Sequence, residues 1–119
     1  MEDYLEALLM LEEKGEALET TKVAKLLSIT KPAVHQMGHE LINRGLITRI
    51  DYGDMSLTDE GREIAKKTLH RHRTLNKFLM LIGVDEEQAE IDCCEIEHVI
   101  SEKTFAAIEK IVLEKENKD

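Results

Sequence analysis

The chain has 119 residues, of which 42% are hydrophobic but only 3% aromatic, with one Pro, six Gly and no Trp. That length is one domain's worth, or a small domain with a helical extension, and its core must be built from Leu, Ile, Val, Ala and Met. The formal net charge of −9 speaks against nucleic acid only until its distribution is read. Residues 1–19 carry seven acids and one Lys (−6), and residues 20–50 five bases and one acid (+4). Residues 51–84 carry six bases and five acids (+1), and residues 85–119 four Lys and twelve acids (−8). A basic middle framed by acidic ends fits a phosphate-facing surface plus a cation-collecting surface. No apolar run approaches bilayer length, and Met1 leads into Glu2 and Asp3 rather than a basic signal start. A cytoplasmic protein with no membrane partner is expected. There, the adjacent Cys93 and Cys94 stay reduced, and they are in any case a poor disulfide framework.

In chain order, Tyr4, Leu5, Leu8, Leu9 and Leu11 recur at helical spacing until Gly15 stops the run. Asp3 and Glu6 lie on this first helix at i, i+3; they are either cation ligands or favourable acids near a helix N-terminus. Thr20 or Thr21 caps a short second helix, Lys22 to Leu27, with Val23, Ala24 and Leu27 inward. Ser28-Ile29 makes a turn. Thr30 caps a third helix with Pro32 in its first turn, where a missing N–H costs nothing, and Gly45 closes it. Two short helices joined by a tight turn form a helix-turn-helix pattern.

Leu46 to Ile50 alternates like a strand, Tyr52-Gly53-Asp54 reads as a turn, and Met55-Ser56-Leu57 as a short return strand. A hairpin in that place is a wing. Thr58 then caps a helix over residues 58–82, about 35 Å long, that passes through His70 and His72 and ends at Gly83. Asp85 caps a fifth helix holding Glu90, Cys94, Glu97 and His98. Ser101 caps a sixth, with Phe105, Ile108, Val112 and Leu113 as its apolar stripe. The expected fold is mainly α. A winged helix-turn-helix, residues 1–67, is followed by an all-helical metal-binding and dimerisation domain, residues 68–119, and the long helix bridges the two.

On a continuous helix, Cys94, Glu97 and His98 project from one face as thiolate, carboxylate and imidazole. Those are three common ligands for a divalent transition metal. The plain alternative is a hydrogen-bonded network in which His98 meets a carboxylate. Cys93 reads as a small buried hydrophobe.

The third helix presents Thr30, Lys31, Ala33, His35 and Gln36 at its N-terminal end for a major groove, with Pro32 in its first turn. Gln36 offers bidentate contact to adenine, and Ala33 contact to a thymine methyl. Lys22, Lys25, Lys31 and Arg49 suit phosphates, which position without specifying. For each Lys, a solvated surface charge is the competing reading. His35 and His39 also read as exposed residues without a role, and His70, pointing away from the His72 face, as structural or surface.

In order, an acidic first helix, a winged helix-turn-helix, Arg71-His72-Arg73, Ile82-Gly83-Val84-Asp85 and Cys94-x-x-Glu97-His98-Val99 follow one another. This arrangement resembles the diphtheria toxin repressor family of metal-dependent transcriptional repressors over nearly the whole chain. The resemblance implies a homodimer whose metal-loaded form binds a palindromic double-stranded DNA operator and represses metal-uptake genes. It implies a primary site drawing on Asp3, Cys94, Glu97 and His98, and a neighbouring site drawing on Glu6, His72 and Glu97. Glu90 stands where the iron branch has a His ligand, and so is a candidate extra carboxylate ligand. Asn76 stands where that branch uses a Glu, which implies a weaker or rearranged second site. Asp3 and Glu6 look like the manganese branch, Cys94 like the iron branch. A thiolate favours Fe²⁺, Co²⁺ or Zn²⁺ while carboxylates suit Mn²⁺, so Fe²⁺ is favoured with Mn²⁺ close behind, and Co²⁺, Ni²⁺, Zn²⁺ or Cd²⁺ as substitutes in vitro. The sequence ends where the iron branch would continue into an SH3-like domain, so the short two-domain form is expected.

The competing class is a winged-helix regulator of an organic effector or of thiol oxidation at Cys93-Cys94. An enzyme reading ranks below both, because the HExxH order is absent and no small-molecule substrate site is evident.

Overall fold

The computed structural model describes residues 2–49 and 55–117, in six helices and a two-stranded sheet. They fall into two compact units that divide between Thr68 and Leu69. Ile50 and the expected turn Tyr52-Gly53-Asp54 lie outside the described residues.

In the first unit, α1 (Glu2–Glu13) buries Tyr4, Leu5, Leu8, Leu9 and Leu11, the stripe its spacing predicts. It packs on α2 (Thr20–Leu27) and on β2 (Met55–Leu57). The Tyr4 hydroxyl donates to the Val34 carbonyl on α3 (Lys31–Asn43) at 3.2 Å and lies 3.2 Å from Met55 Sδ. Its path runs over Gly38, where a Cβ would stand 2.9 Å from that hydroxyl oxygen. One buried phenol thus ties α1 to α3 and to β2.

Helix ends follow their capping chemistry. Thr30 accepts from Ala33 N at 3.2 Å. At the other end of α3, Gly45 takes φ +74, with Leu46 N donating to Leu41 O and Gly45 N to Ile42 O. That Schellman arrangement satisfies two carbonyls that would otherwise be orphaned. It also uses Leu46, so β1 starts one residue later than its alternation suggests, and Ile47–Arg49 pairs antiparallel as Ile47 with Leu57, Thr48 with Ser56 and Arg49 with Met55. α2 starts earlier than expected. Its N-cap is Glu19, without a side-chain cap bond, so neither Thr20 nor Thr21 caps it. The Glu19 carbonyl already accepts from Val23 N, which places both threonines inside the first turn.

α4 (Asp59–Leu81) begins under a triple hold at Thr58. The Thr58 hydroxyl accepts from Gly61 N at 3.1 Å and faces the carbonyls of Gly45 at 2.8 Å and Leu46 at 2.9 Å. Gly61 sits so close beneath that a Cβ there would lie 1.9 Å from Leu46 O.

In the second unit the rest of α4 packs with α5 (Glu86–Ile96) and α6 (Glu102–Asn117) around Leu75, Leu79, Ala89, Cys93 and Phe105. Asp85 caps α5 through Gln88 N, and Ser101 caps α6 through Thr104 N. Arg71 clasps α6: it donates to Glu102 at 3.2 Å and to the Ile100 carbonyl at 3.0 Å, with its guanidinium 5.3 Å from the Phe105 ring centre. His70, expected to be structural or surface, is exposed, pairs with Glu109 and meets Phe105 edge-on. Leu113, placed in the inward stripe of α6 by spacing, is exposed instead.

Candidate metal centre and nucleic-acid interface

His72, in the middle of α4, is the hub of the second unit's polar cluster. Its side chain is only 11% exposed. Nε2 lies 2.8 Å from Glu90 Oε1, and the other carboxylate oxygen of Glu90 accepts from Asn76 at 3.0 Å. Cys93 Sγ is 3.7 Å from both ring nitrogens, and Cys94 Sγ is 3.8 Å from Nδ1. One donor atom from each of His72, Glu90, Cys93 and Cys94 lies within 4.8 Å of every other.

Glu97 is the second feature. It is buried, its Oε2 lies 3.5 Å from His72 Nδ1, and that oxygen has no hydrogen-bond partner among the described residues. His98 Nε2 is 3.8 Å from Glu97 Oε1. A carboxylate oxygen buried beside an imidazole, without a hydrogen-bond partner among the described residues, is what a cation would satisfy. The donor set of N, O and S atoms fits a divalent transition metal.

The local chain course differs from the continuous helix expected. α5 ends at Ile96 with Glu97 as its C-cap, so His98 lies beyond the helix. The last bonds tighten to i−3, His98 N to Glu95 O and Val99 N to Ile96 O, without Gly or Pro to announce it. Cys94 groups with His72, Glu90 and Cys93, rather than with Glu97 and His98. Sequence reasoning therefore missed Cys93, treated as core. It is core, at 0% exposure, and it also faces His72. Burial, then the charges of Glu90 and Cys94, push its thiol up to about 12. In the first unit, Asp3 stands in the first turn of α1, and Glu6 is a buried carboxylate on the same helix.

Of the groove-facing candidates, Lys31, Pro32, His35 and Gln36 are exposed at the start of α3, as is Lys25 on α2. Lys22 and Ala33 are half-buried. Thr30 is exposed, but its hydroxyl is engaged as the cap of α3. Arg49 closes β1, and its side chain lies outside the described residues.

Residues 1–54 match a family model described as iron dependent repressor, N-terminal DNA binding domain. Residues 58–117 match its companion, iron dependent repressor, metal binding and dimerisation domain. The chain is 38% identical over 117 residues to an uncharacterized HTH-type transcriptional regulator of Methanocaldococcus jannaschii, covering 97% of this chain and 93% of that one. It is 36% identical over 113 residues to the HTH-type transcriptional regulator MntR of Bacillus subtilis, covering 94% and 79%. Among solved structures, it superposes on the manganese regulator SloR with a TM-score of 0.82 at 25% identity, covering 93% of this chain and 52% of that one. A manganese-dependent transcriptional repressor in complex with manganese gives 0.86 at 25% identity, covering 93% and 51%. The chain thus spans about half the length of those solved structures.

Proposed function

The chain belongs to the iron-dependent repressor family of metal-dependent transcriptional repressors, and we propose that a divalent cation switches it, as a homodimer, onto a palindromic operator that controls metal uptake. Fe²⁺ is the favoured cation and Mn²⁺ the next. The observation that carries this reading is the buried Glu97 oxygen 3.5 Å from His72, without a hydrogen-bond partner among the described residues.

The proposed ligands are Asp3, Glu6, His72, Cys94, Glu97 and His98, with Glu90 steadying His72 through its Nε2. For Asp3 and Glu6 the support is their i, i+3 spacing and the family to which the chain belongs. A bound divalent cation supplies positive charge that offsets the mutual repulsion of these acids. The chain's own part is to hold the donors ready: Asn76 fixes Glu90, Glu90 fixes the His72 ring, and the end of α5 turns Glu97 inward.

On the DNA side, the exposed start of α3 offers Lys31, His35 and Gln36 to the major groove, with Ala33 beside them, and Lys22, Lys25 and, on its charge alone, Arg49 are the proposed phosphate contacts. Pairing of two chains is supported by large apolar side chains exposed on the second unit, among them Met80, Leu81, Ile82, Ile91 and Leu113. A dimer fixes the separation of two reading heads, and half-sites on one face of a duplex lie a helical turn or a multiple apart.

The test is a titration of operator binding with Mn²⁺, Fe²⁺, Co²⁺ and Zn²⁺, anaerobic and reducing, at fixed salt. Tight binding that needs the cation and is lost to a chelator is expected. Equal binding with and without cation overturns the reading in favour of an organic effector or of thiol oxidation.

A further inference from the structure

Cys93 is the donor that the regulatory reading leaves unused, and the second unit places it beside Cys94 and His72. From this we infer that His72 Nδ1, Cys93 Sγ and Cys94 Sγ form a thiolate-rich site for a soft divalent cation such as Zn²⁺, complete within residues 69–119.

Three observations converge. The first is metric. With Zn–S near 2.3 Å and Zn–N near 2.0–2.1 Å, a tetrahedral ion sets its sulfur and nitrogen ligands about 3.6 Å apart. The observed Sγ to Nδ1 separations are 3.7 Å for Cys93 and 3.8 Å for Cys94. The edge of the coordination polyhedron is already in place.

The second is orientation. A metal-binding imidazole usually donates its other N–H to a carboxylate, which fixes both ring and tautomer. Glu90 Oε1 lies 2.8 Å from Nε2, and Asn76 holds the far oxygen of Glu90 at 3.0 Å. With Nε2 held by Glu90, Nδ1 is the ring donor within reach of both sulfurs, and Glu97 Oε2, 3.5 Å from Nδ1, or a water would fill the fourth position.

The third is chain geometry. Adjacent helix residues point about 100° apart, so two neighbouring cysteines rarely serve one ion. Here α4 brings His72 into the angle between them, and both sulfurs reach the same nitrogen. Thiolates select Zn²⁺, Co²⁺ and Cd²⁺ over Mn²⁺. The site shares His72 and Cys94 with the regulatory ligand set but does not depend on it, since Asp3 and Glu6 take no part.

The experiment is an anaerobic titration of the full chain with Co²⁺, followed by Zn²⁺ displacement. The near-ultraviolet thiolate-to-cobalt charge-transfer band is read per bound cobalt, beside the visible bands of tetrahedral cobalt. Wild type is expected to give the intensity of two Co–S bonds and to lose it on adding Zn²⁺. Cys93→Ser and Cys94→Ser should each fall to about half that intensity, whereas a doubly substituted Asp3→Ala, Glu6→Ala chain should keep it all. An undiminished band in Cys93→Ser, or a wild-type band of one Co–S bond, overturns the inference. The wild-type reading stands even where a cysteine variant does not fold. Operator binding is not read, so loss of the regulatory reading would leave this result intact.

Discussion

His72 Nδ1 stands 3.5 Å from Glu97 Oε2, and that oxygen is buried without a hydrogen-bond partner among the described residues. An unmet buried polar atom costs about 1–3 kcal/mol, more when charged. Glu97→Gln removes the charge and keeps the shape. In chelator-treated protein this variant should melt at or above the wild-type temperature. Wild type should then gain about 2.7 kcal/mol at a hundredfold excess of Mn²⁺, a cation that thiolates disfavour, over its Kd, and the variant should gain far less. Thermal melts with and without Mn²⁺ decide it, and a Mn²⁺-induced rise retained in full by Glu97→Gln would remove this residue from the ligand set.

Gly61 makes a prediction of opposite kind, because two effects compete there. Inside a helix, Ala is favoured over Gly by about 1 kcal/mol. Yet a Cβ at this position would lie 1.9 Å from Leu46 O, a backbone atom that also accepts from Thr58 N. The clash cannot be relieved by a side-chain rotation, so overpacking wins and Gly61→Ala should cost about 3 kcal/mol or more. Urea unfolding measures it. A neutral or stabilising result would mean that the junction of β1 and α4 yields easily.

How much of this was legible in the sequence follows from range. Local chemistry was readable: Thr30, Thr58, Asp85 and Ser101 each hold the backbone N–H three residues on, and Gly45 and Gly83 take the positive φ that ends a helix. Contacts between distant residues were not, because nothing near Gly61 announces Leu46 O, and nothing near Gly38 announces the Tyr4 hydroxyl. The cluster lies between these cases. Spacing singled out Cys94, Glu97 and His98 as one helix face, but the helix stops at Ile96 through i−3 bonds that no residue type signals. Cys93 was lost for a related reason: periodicity assigns each of two neighbours to one face, core or polar, and this side chain belongs to both.

Thr58 joins three backbone groups through one hydroxyl, accepting from Gly61 N and facing two carbonyl oxygens. Losing a Ser or Thr cap costs about 0.5–2 kcal/mol, and the two carbonyls place this one in the upper part of that range. Thr58→Ala should therefore destabilise by about 2 kcal/mol, and Thr58→Ser, which keeps the hydroxyl, by much less. Chemical denaturation of the pair separates the hydrogen bonds from the lost methyl group, and equal losses would refute the hydroxyl's part.

Cys93 predicts a pH dependence whose sign is fixed. Its thiol rises from an ordinary 9.0 to about 12, chiefly through burial. Below the lower value both folded and unfolded chains carry the neutral thiol, and its contribution is fully present. Between the two values the unfolded chain ionises first, so stability falls as pH rises. Cys93→Ala should lack that part of the slope. In metal-free protein at about pH 8, iodoacetamide should alkylate exposed Cys94 and spare Cys93, since the thiolate is the nucleophile. Mass spectrometry of the peptides reads the ratio, and equal labelling would contradict both the burial and the shift.

Lys31 and Gln36 are both exposed near the start of α3, yet their proposed roles separate by salt. A lysine that neutralises one phosphate contributes about 0.9 to the slope of log K against log salt. Lys31→Ala should therefore weaken all duplexes alike and lower the slope by about that amount. Gln36→Ala should leave the slope unchanged and lose about 1–3 kcal/mol against the preferred duplex alone, relaxing the choice at a single adenine. Binding isotherms at several salt concentrations, on a duplex selected by the wild-type protein from a random pool, distinguish them. If Gln36→Ala instead lowered the slope and kept the sequence preference, α3 would be lying along the backbone rather than in the groove.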